Sequence, residues 1–196
     1  RIFEEFTFDP LATDLTRRLG CRLPVIQTAM GWIATPALVA ASSNAGAFGF
    51  LAAAVMSPAE VGDAIARLRD LTPHRFGVNF HSFQPGAAEI VEIVLANSDR
   101  VGAVSFGRGP DARMIAAFRN KGILCVPTVG AVKHAEKMVQ LGCEMITVQG
   151  GEGGGPESRA AVGRGRGRHA FRRHQARQGL MTAAAESKRP LIQPFE

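Results

Sequence analysis

The strongest constraint on the fold is a regular alternation of short apolar segments with helical segments between positions 23 and 150. The apolar segments carry hydrophobic residues at consecutive positions, as parallel strands do when helices cover the sheet. We predict six strands, near 24–29, 48–53, 76–80, 101–106, 123–128 and 144–149. These β–α repeats indicate an α/β protein, either a doubly wound sheet or a barrel of the TIM type.

The segments between the predicted strands carry helix start and stop signals. The clearest is 57–71, where Ser57 precedes a proline and Glu60 lies three residues after the serine, which is the pattern of a capping box. Apolar residues in this segment recur at spacings of three and four, so they share one helix face. The five predicted helices are 35–46, 57–71, 85–98, 109–122 and 131–142.

The ends of the predicted strands favour the barrel over the doubly wound sheet. The turn after the first strand, AMGW at 29–32, lacks the glycine pattern of a dinucleotide-binding fold. Polar residues instead lie at several strand ends, namely Gln27, Asn79, Ser105, Thr128 and Gln149. A TIM barrel assembles its site from the carboxyl ends of many strands, but it needs eight β–α units. We therefore predict an α/β, TIM-barrel type (β/α) repeat that is incomplete, with about six of eight strands.

A family resemblance is carried by three stretches, which are PVIQTAMGWIATPALVAASSNAGAFGFLAAA (24–54), FGVNF (76–80) and GILCVPTVGAVKHAEKMVQLGCEMITVQGGEGGG (122–155). Together they resemble the nitronate monooxygenase family, formerly called 2-nitropropane dioxygenases. The flavin-dependent enoyl-acyl-carrier-protein reductases are similar to the same stretches. The resemblance covers roughly residues 20–155. It implies a TIM barrel that holds FMN without a covalent bond.

The resemblance also implies a set of cofactor-binding residues at three strand ends. They are Gln27, Met30 and Gly31 after the first strand, Asn79 on the third, and Gln149, Gly150 and Gly151 after the sixth. A glycine allows the backbone to approach a flat ligand, and an asparagine amide can both donate and accept hydrogen bonds at the edge of the flavin ring. The alternatives from the residues alone are that Met30 fills the core and that Asn79 caps a turn.

The stretch QGGEGGGPES (149–158) departs from the family pattern at one position that carries chemistry. The family has a histidine there, the expected general base or proton donor near the flavin, where this chain has Pro156. Because proline has no titratable group and no backbone N–H, we leave the catalytic residue unknown. His81 and His134 do not match that position, although His81 follows the third strand closely enough to face the same end of the barrel.

Charge divides the chain after Gly155. Up to that residue fourteen Lys and Arg balance fourteen Asp and Glu, whereas the remainder has nine against three and holds the whole net charge of +6. We predict a partial FMN-binding barrel over 1–155 and a basic low-complexity tail over 156–196, either frame-shifted or disordered. Arg–Gly alternation can bind nucleic acid, but the tail has two aromatic residues, Phe171 and Phe195, and we expect no nucleic-acid partner.

Composition and local patterns bear on the expected location of the protein and on the state of its cysteines. No stretch approaches the roughly 20 apolar residues of a membrane span, and the N-terminus lacks the order of a signal peptide. The three cysteines have no CxxC spacing, so we expect reduced thiols, no metal and a cytoplasmic location. The chain lacks an initiator methionine, which leaves its true N-terminus open.

The predicted function is FMN-dependent oxidation of nitronates by O₂, impaired in this chain. The alternatives are NAD(P)H-dependent reduction of an enoyl thioester, or an inactive fragment. The expected partners are small molecules, and an open edge at the sixth strand leaves room for coverage by the tail or for a homo-oligomer.

Overall fold

The computed structural model of the protein describes residues 9–107 and 111–149. Its elements are α1 (Asp14–Leu19), β1 (Ile26–Gln27), α2 (Pro36–Asn44), β2 (Phe48–Ala52), a 3-10 turn (Ala53–Val55), α3 (Pro58–Leu71), β3 (Phe76–His81), α4 (Ala87–Ala96), β4 (Val101–Gly107), α5 (Ala112–Asn120), β5 (Leu124–Cys125), β6 (Thr128–Val129), α6 (Val132–Gln140) and β7 (Thr147–Val148). The alternation of strands and helices confirms the predicted α/β class and all five predicted helices.

The capping signals explain why the helices begin where they do. The Glu60 backbone N–H donates to Ser57 Oγ at 3.4 Å, and the Ser57 N–H donates to Glu60 Oε2 at 2.7 Å. This reciprocal pair satisfies two donors at the start of α3, as the sequence predicts. The short α1, which the sequence analysis missed, has its own capping box between Thr13 and Thr16 and ends at Gly20, whose φ of 67° suits glycine.

The strands pair in parallel throughout the described residues. Five of them form one sheet in the order β1-β2-β3-β4-β5, and β6 pairs with β7. The prediction of one continuous fifth strand over 123–128 is wrong, because the structure divides this segment into β5 and β6. Val126 N–H still donates to the Val104 carbonyl of β4, but the Pro127 carbonyl accepts from the N–H of Thr147 in β7. Proline has no N–H to continue pairing with β4, so the strand changes partner there.

The two faces of the sheet bury different clusters. Phe76, Val78 and Phe80 of β3 pack in the larger cluster, which lies between the strands and the helices, so we call this the outer face. Because side chains alternate along a strand, Gly77, Asn79 and His81 belong to the opposite, inner face. The inner-face cluster is built on Leu19, Phe48, Phe50, Ala103 and Val126.

The inner cluster shows that the sheet is curved. It takes in Ile26 of β1 and also Met145, which precedes β7, so the first and last described strands converge on one side. Leu15 and Leu19 bring α1 against the amino-terminal ends of these strands. Arg18 Nη1 extends the contact with a 2.5 Å ion pair to Glu144 Oε2. A concave inner face with a helix at its amino-terminal end is the geometry of a barrel.

Replacing Gly77 with alanine is expected to lower the free energy of unfolding by about 1–3 kcal/mol. A Cβ on Gly77 would lie 2.3 Å from the Phe50 ring, which is buried in the inner cluster. The matched control is Gly62→Ala in α3, where a Cβ meets nothing within 4 Å and should raise stability by about 0.5–1 kcal/mol. Urea denaturation measures both, and equal stability of the two variants would contradict this packing.

Several expectations fall on residues outside those described. They include the boundary at 155/156, the tail 156–196, Gly150, Gly151 and Pro156. Within the described residues, no helix has both the length and the apolar character needed to cross a membrane. The same residues contain no group of three or more His, Cys, Asp or Glu side chains placed to hold a metal ion.

Candidate functional site

Polar side chains of the inner face lie at the carboxyl ends of the strands. Asn79 of β3 is in register with Ser105 of β4, and Thr128 of β6 is in register with Thr147 of β7. Residues earlier on the same strands, such as Ala103, are buried in the inner cluster. The inner face therefore changes from apolar to polar toward one end, where a parallel sheet places its ligand sites.

Asn79 presents the most defined ligand group at this end. Its Nδ2 donates to the Ser105 carbonyl oxygen at 3.1 Å and to Ser105 Oγ at 3.4 Å, which fixes the plane of the amide. No donor among the described residues reaches its Oδ1. The partly buried amide thus keeps one acceptor available for an N–H group of a ligand.

Gln27 lies on the other side of the sheet from Asn79. Its neighbour Ile26 packs in the inner cluster, and Gln27 Oε1 lies 3.0 Å from the position of a Cβ on Gly49, which faces α2. Its Nε2 donates to the carbonyl oxygens of Thr28 and Phe50. Gln27 therefore ties the end of β1 to β2 and supports the turn that follows.

That turn carries Met30 and Gly31 to the carboxyl end of the strands. The Met30 carbonyl accepts hydrogen bonds from Ile33 N–H at 3.1 Å and Ala34 N–H at 2.8 Å. A Cβ on Gly31 would lie 3.2 Å from Val55 Cγ1, so the turn packs against the segment that follows β2. Trp32, with a φ of 60°, and Val55 were not predicted as site residues, because no local sequence pattern signals a positive φ or this contact.

His81 lies on the inner face, two residues beyond Asn79. Its backbone N–H donates to Gln84 Oε1 at 2.8 Å, and Gln84 Nε2 donates to the Ala53 carbonyl at 3.1 Å. The imidazole stacks on Phe83 with ring centroids 5.1 Å apart, and its Nδ1 is buried without a hydrogen-bond partner among the residues that the structure describes. The structure therefore brings His81 to the same strand end as Asn79, whereas His134 is exposed on α6.

The sixth predicted strand also ends at the carboxyl end of the inner face. Gln149 follows β7 directly, and its backbone N–H donates to the Val129 carbonyl at 3.0 Å. Alternation from Thr147 assigns Gln149 to the inner face, while Gly150 and Gly151 lie outside the described residues. Of the seven residues implied by the family resemblance, Met30, Gly31, Asn79 and Gln149 thus lie at the carboxyl end, and Gln27 lies behind them.

Two other features lie on the outer face. A pocket opens there between α4 and α5, with Val91, Glu92 and Met114 in its wall, and Phe83, which follows β3, also lines it. The buried thiols of Cys125 and Cys143 are free, as expected for reduced cysteines. A hydrogen bond between them raises the pKa of Cys125 and lowers that of Cys143, which the Arg119 cation also favours. Cys125 is the last residue of β5, and Cys143 precedes β7.

Comparison with known sequences finds a family model described as nitronate monooxygenase, matched over residues 12–173. The match extends past Gly155 into the segment predicted as a tail. A relative from Rhodococcus jostii (strain RHA1), named as a (3aS,4S,5R,7aS)-5-hydroxy-7a-methyl-1-oxo-octahydro-1H-indene-4-carboxyl-CoA dehydrogenase, is 41% identical over 145 residues, which are 74% of this chain and 40% of the relative. A nitronate monooxygenase from Pseudomonas aeruginosa is 47% identical over 75 residues, 38% of this chain and 21% of that protein.

Solved structures agree with the sequence comparison. FabK from Thermotoga maritima superposes with a TM-score of 0.69 at 31% identity, over 73% of this chain and 45% of that one. Nitroalkane oxidase from Streptomyces ansochromogenes gives 0.64 at 29% identity, over 70% and 48%. The chain spans less than half the length of each of these four relatives. The fold is thus confirmed as α/β of the TIM-barrel type, and the chain belongs to the nitronate monooxygenase family.

Proposed function

We propose that the chain is an FMN-dependent oxidoreductase and that the flavin binds at the carboxyl end of the inner face. The observation that carries the proposal is the Asn79 amide, whose Nδ2 bonds Ser105 while its Oδ1 accepts from no donor in 9–107 and 111–149. A flavin ring offers an N–H group at its edge, so the donor and acceptor types are complementary. The residues present therefore fit the cofactor that the family implies.

Each residue of the candidate site has a proposed role in holding the cofactor. Asn79 accepts from the edge of the flavin ring, and Gly31 allows the backbone to lie close to its plane. Met30 contributes a polarizable side chain that is partly exposed beside that glycine. Gln149, which follows β7, contacts the ring from the same strand end, and the family resemblance assigns Gly150 and Gly151 to the same cofactor. When bound, FMN supplies the electron and hydride transfer, while these side chains bind and orient it.

The first candidate substrate is a nitronate, oxidised with O₂. Support comes from the family model and from the Pseudomonas aeruginosa relative. We further propose that turnover is slow, because Pro156 replaces the histidine of the family pattern and acid–base catalysis typically contributes about 10²–10⁴-fold.

The second candidate substrate is an acyl thioester, with NAD(P)H or its oxidised form as the other reactant. The Rhodococcus jostii relative favours it, because its name specifies a carboxyl-CoA thioester and its identity of 41% extends over 74% of this chain. The FabK fold is compatible with the enoyl-thioester alternative of the sequence analysis. Small-molecule partners and a cytoplasmic location are proposed for either substrate.

FMN titration of the purified chain tests the proposal. Trp32 is the single tryptophan of the chain and lies in the β1–α2 turn, so its emission and that of the flavin both report binding. We expect weak but saturable binding, followed by slow O₂ uptake with a nitronate or slow NADH oxidation with an enoyl thioester. Absence of saturable FMN binding would contradict the proposed function.

A further inference from the structure

Five large apolar side chains are exposed at the carboxyl end of the first three strands. They are Met30, Trp32, Ile33, Val55 and Phe83, which we call the apolar rim. Trp32 is 83% exposed, Phe83 is 62% exposed and Ile33 is 60% exposed. Single exposed apolar residues are ordinary on protein surfaces, whereas a group of them around a polar site commonly marks a binding surface.

The rim is continuous with the candidate site through a series of contacts. Val55 lies against Gly31, which adjoins Met30 and Trp32. Gln84 joins the Ala53–Val55 turn to the His81 backbone through two hydrogen bonds, and Phe83 stacks on the His81 ring. The rim therefore follows β1, β2 and β3 in turn and borders the strand end that carries Asn79.

The backbone at Trp32 is strained, and the Trp32 side chain is exposed. Trp32 has a φ of 60° and is the non-glycine residue with positive φ among those described. That conformation costs roughly 1–2 kcal/mol for a residue with a Cβ. Strained backbone of this kind concentrates at ligand sites, where the surrounding structure holds it in place. Here the two hydrogen bonds to the Met30 carbonyl hold the turn.

We propose that the apolar rim binds the ring-bearing, apolar acyl group of a thioester substrate and that Trp32 is its specificity-determining residue. The proposal rests on the proposed function and selects the thioester from its two candidate substrates. A tryptophan ring offers a flat apolar surface of about 150–250 Å², which an acyl group with fused rings can cover. A small nitronate anion has too little apolar area to do so, and none of the five rim residues carries a positive charge to attract it.

The direct test compares thioesters that share a head group and differ in acyl group. The full chain is titrated, with and without FMN, with decahydronaphthalene-carboxyl-CoA, acetyl-CoA and the nitronate of 2-nitropropane, while Trp32 emission is followed. We expect the bicyclic thioester to change the emission saturably and to bind about tenfold or more tightly than acetyl-CoA. Equal affinity for the two thioesters, or tighter binding of the nitronate, would overturn the proposal.

Variants of rim residues distinguish a specific contact with the acyl group from nonspecific hydrophobic binding. Ile33→Ser keeps the Trp32 reporter and should weaken the bicyclic thioester about tenfold while leaving acetyl-CoA within about twofold. Trp32→Ala should weaken binding of the bicyclic thioester by about tenfold or more, and calorimetry measures this variant because it lacks the tryptophan emission. The matched control is Leu71→Ser, since Leu71 is also an exposed apolar residue but lies at the far end of α3. Equal losses in Ile33→Ser and Leu71→Ser would overturn the proposal.

Two further measurements keep the outcomes distinct. Flavin fluorescence in the same samples measures FMN affinity and so tests the proposed function separately. If the rim binds the bicyclic thioester but the chain does not bind FMN, only the flavin proposal is contradicted. Sedimentation tests whether the rim joins two copies of the chain. A dimer that Ile33→Ser converts to a monomer would assign the rim to self-association and would overturn its role in substrate binding.

Discussion

Replacing Phe80 with alanine is expected to lower the free energy of unfolding by about 3–5 kcal/mol. Phe80 is fully buried on the outer face of β3, with its ring centroid 6.3 Å from that of Phe106 on β4 and 6.1 Å from that of Phe118 on α5. The substitution removes one ring of a three-ring cluster that joins two strands to a helix. The cavity left behind adds to the lost transfer free energy, since close-packed surroundings relax only in part.

Phe83 provides the matched control for Phe80, because it is the same residue type three positions along the chain. Its side chain is largely exposed, so Phe83→Ala should change stability by no more than about 0.5 kcal/mol. Guanidinium denaturation followed by circular dichroism measures both variants. A Phe80→Ala loss below about 1 kcal/mol would show that the aromatic cluster is not packed as described.

Replacing Asn79 with leucine is expected to weaken FMN binding by about 10–100-fold, under the proposed function. Leucine has a similar size but neither accepts from the flavin edge nor donates to Ser105. The cofactor N–H would then lose its partner on binding, and an unsatisfied buried donor costs about 1–3 kcal/mol. Flavin fluorescence titration gives the two affinities.

The control for Asn79 must separate cofactor binding from folding. Asn120→Leu changes the same chemical group on the exposed end of α5 and should leave FMN affinity within about twofold. The unfolding free energy of each variant is measured alongside, since Asn79 also bonds β4. Unchanged FMN affinity in a folded Asn79→Leu chain would remove Asn79 from the proposed site.

The sequence by itself determined the order and type of most elements. Continuous apolar runs predicted β2, β3 and β4, because strands covered by helices need no alternation. The Ser57 and Glu60 signals predicted the start of α3, since a cap depends only on residues three positions apart. The polar residues at the strand ends predicted that Asn79 and Ser105 belong to one site region.

Other features depend on partners distant in the sequence, so only the tertiary structure decided them. Pro127 was visible in the sequence, but the change of partner from β4 to β7 was not. Gln27 resembles a ligand residue by position, yet the register of a two-residue strand with β2 turns it toward Gly49 and α2. The positive φ of Trp32 likewise arises from the turn closed on the Met30 carbonyl. Local patterns determine what a segment becomes, whereas strand register and packing across the sheet determine which way its side chains face.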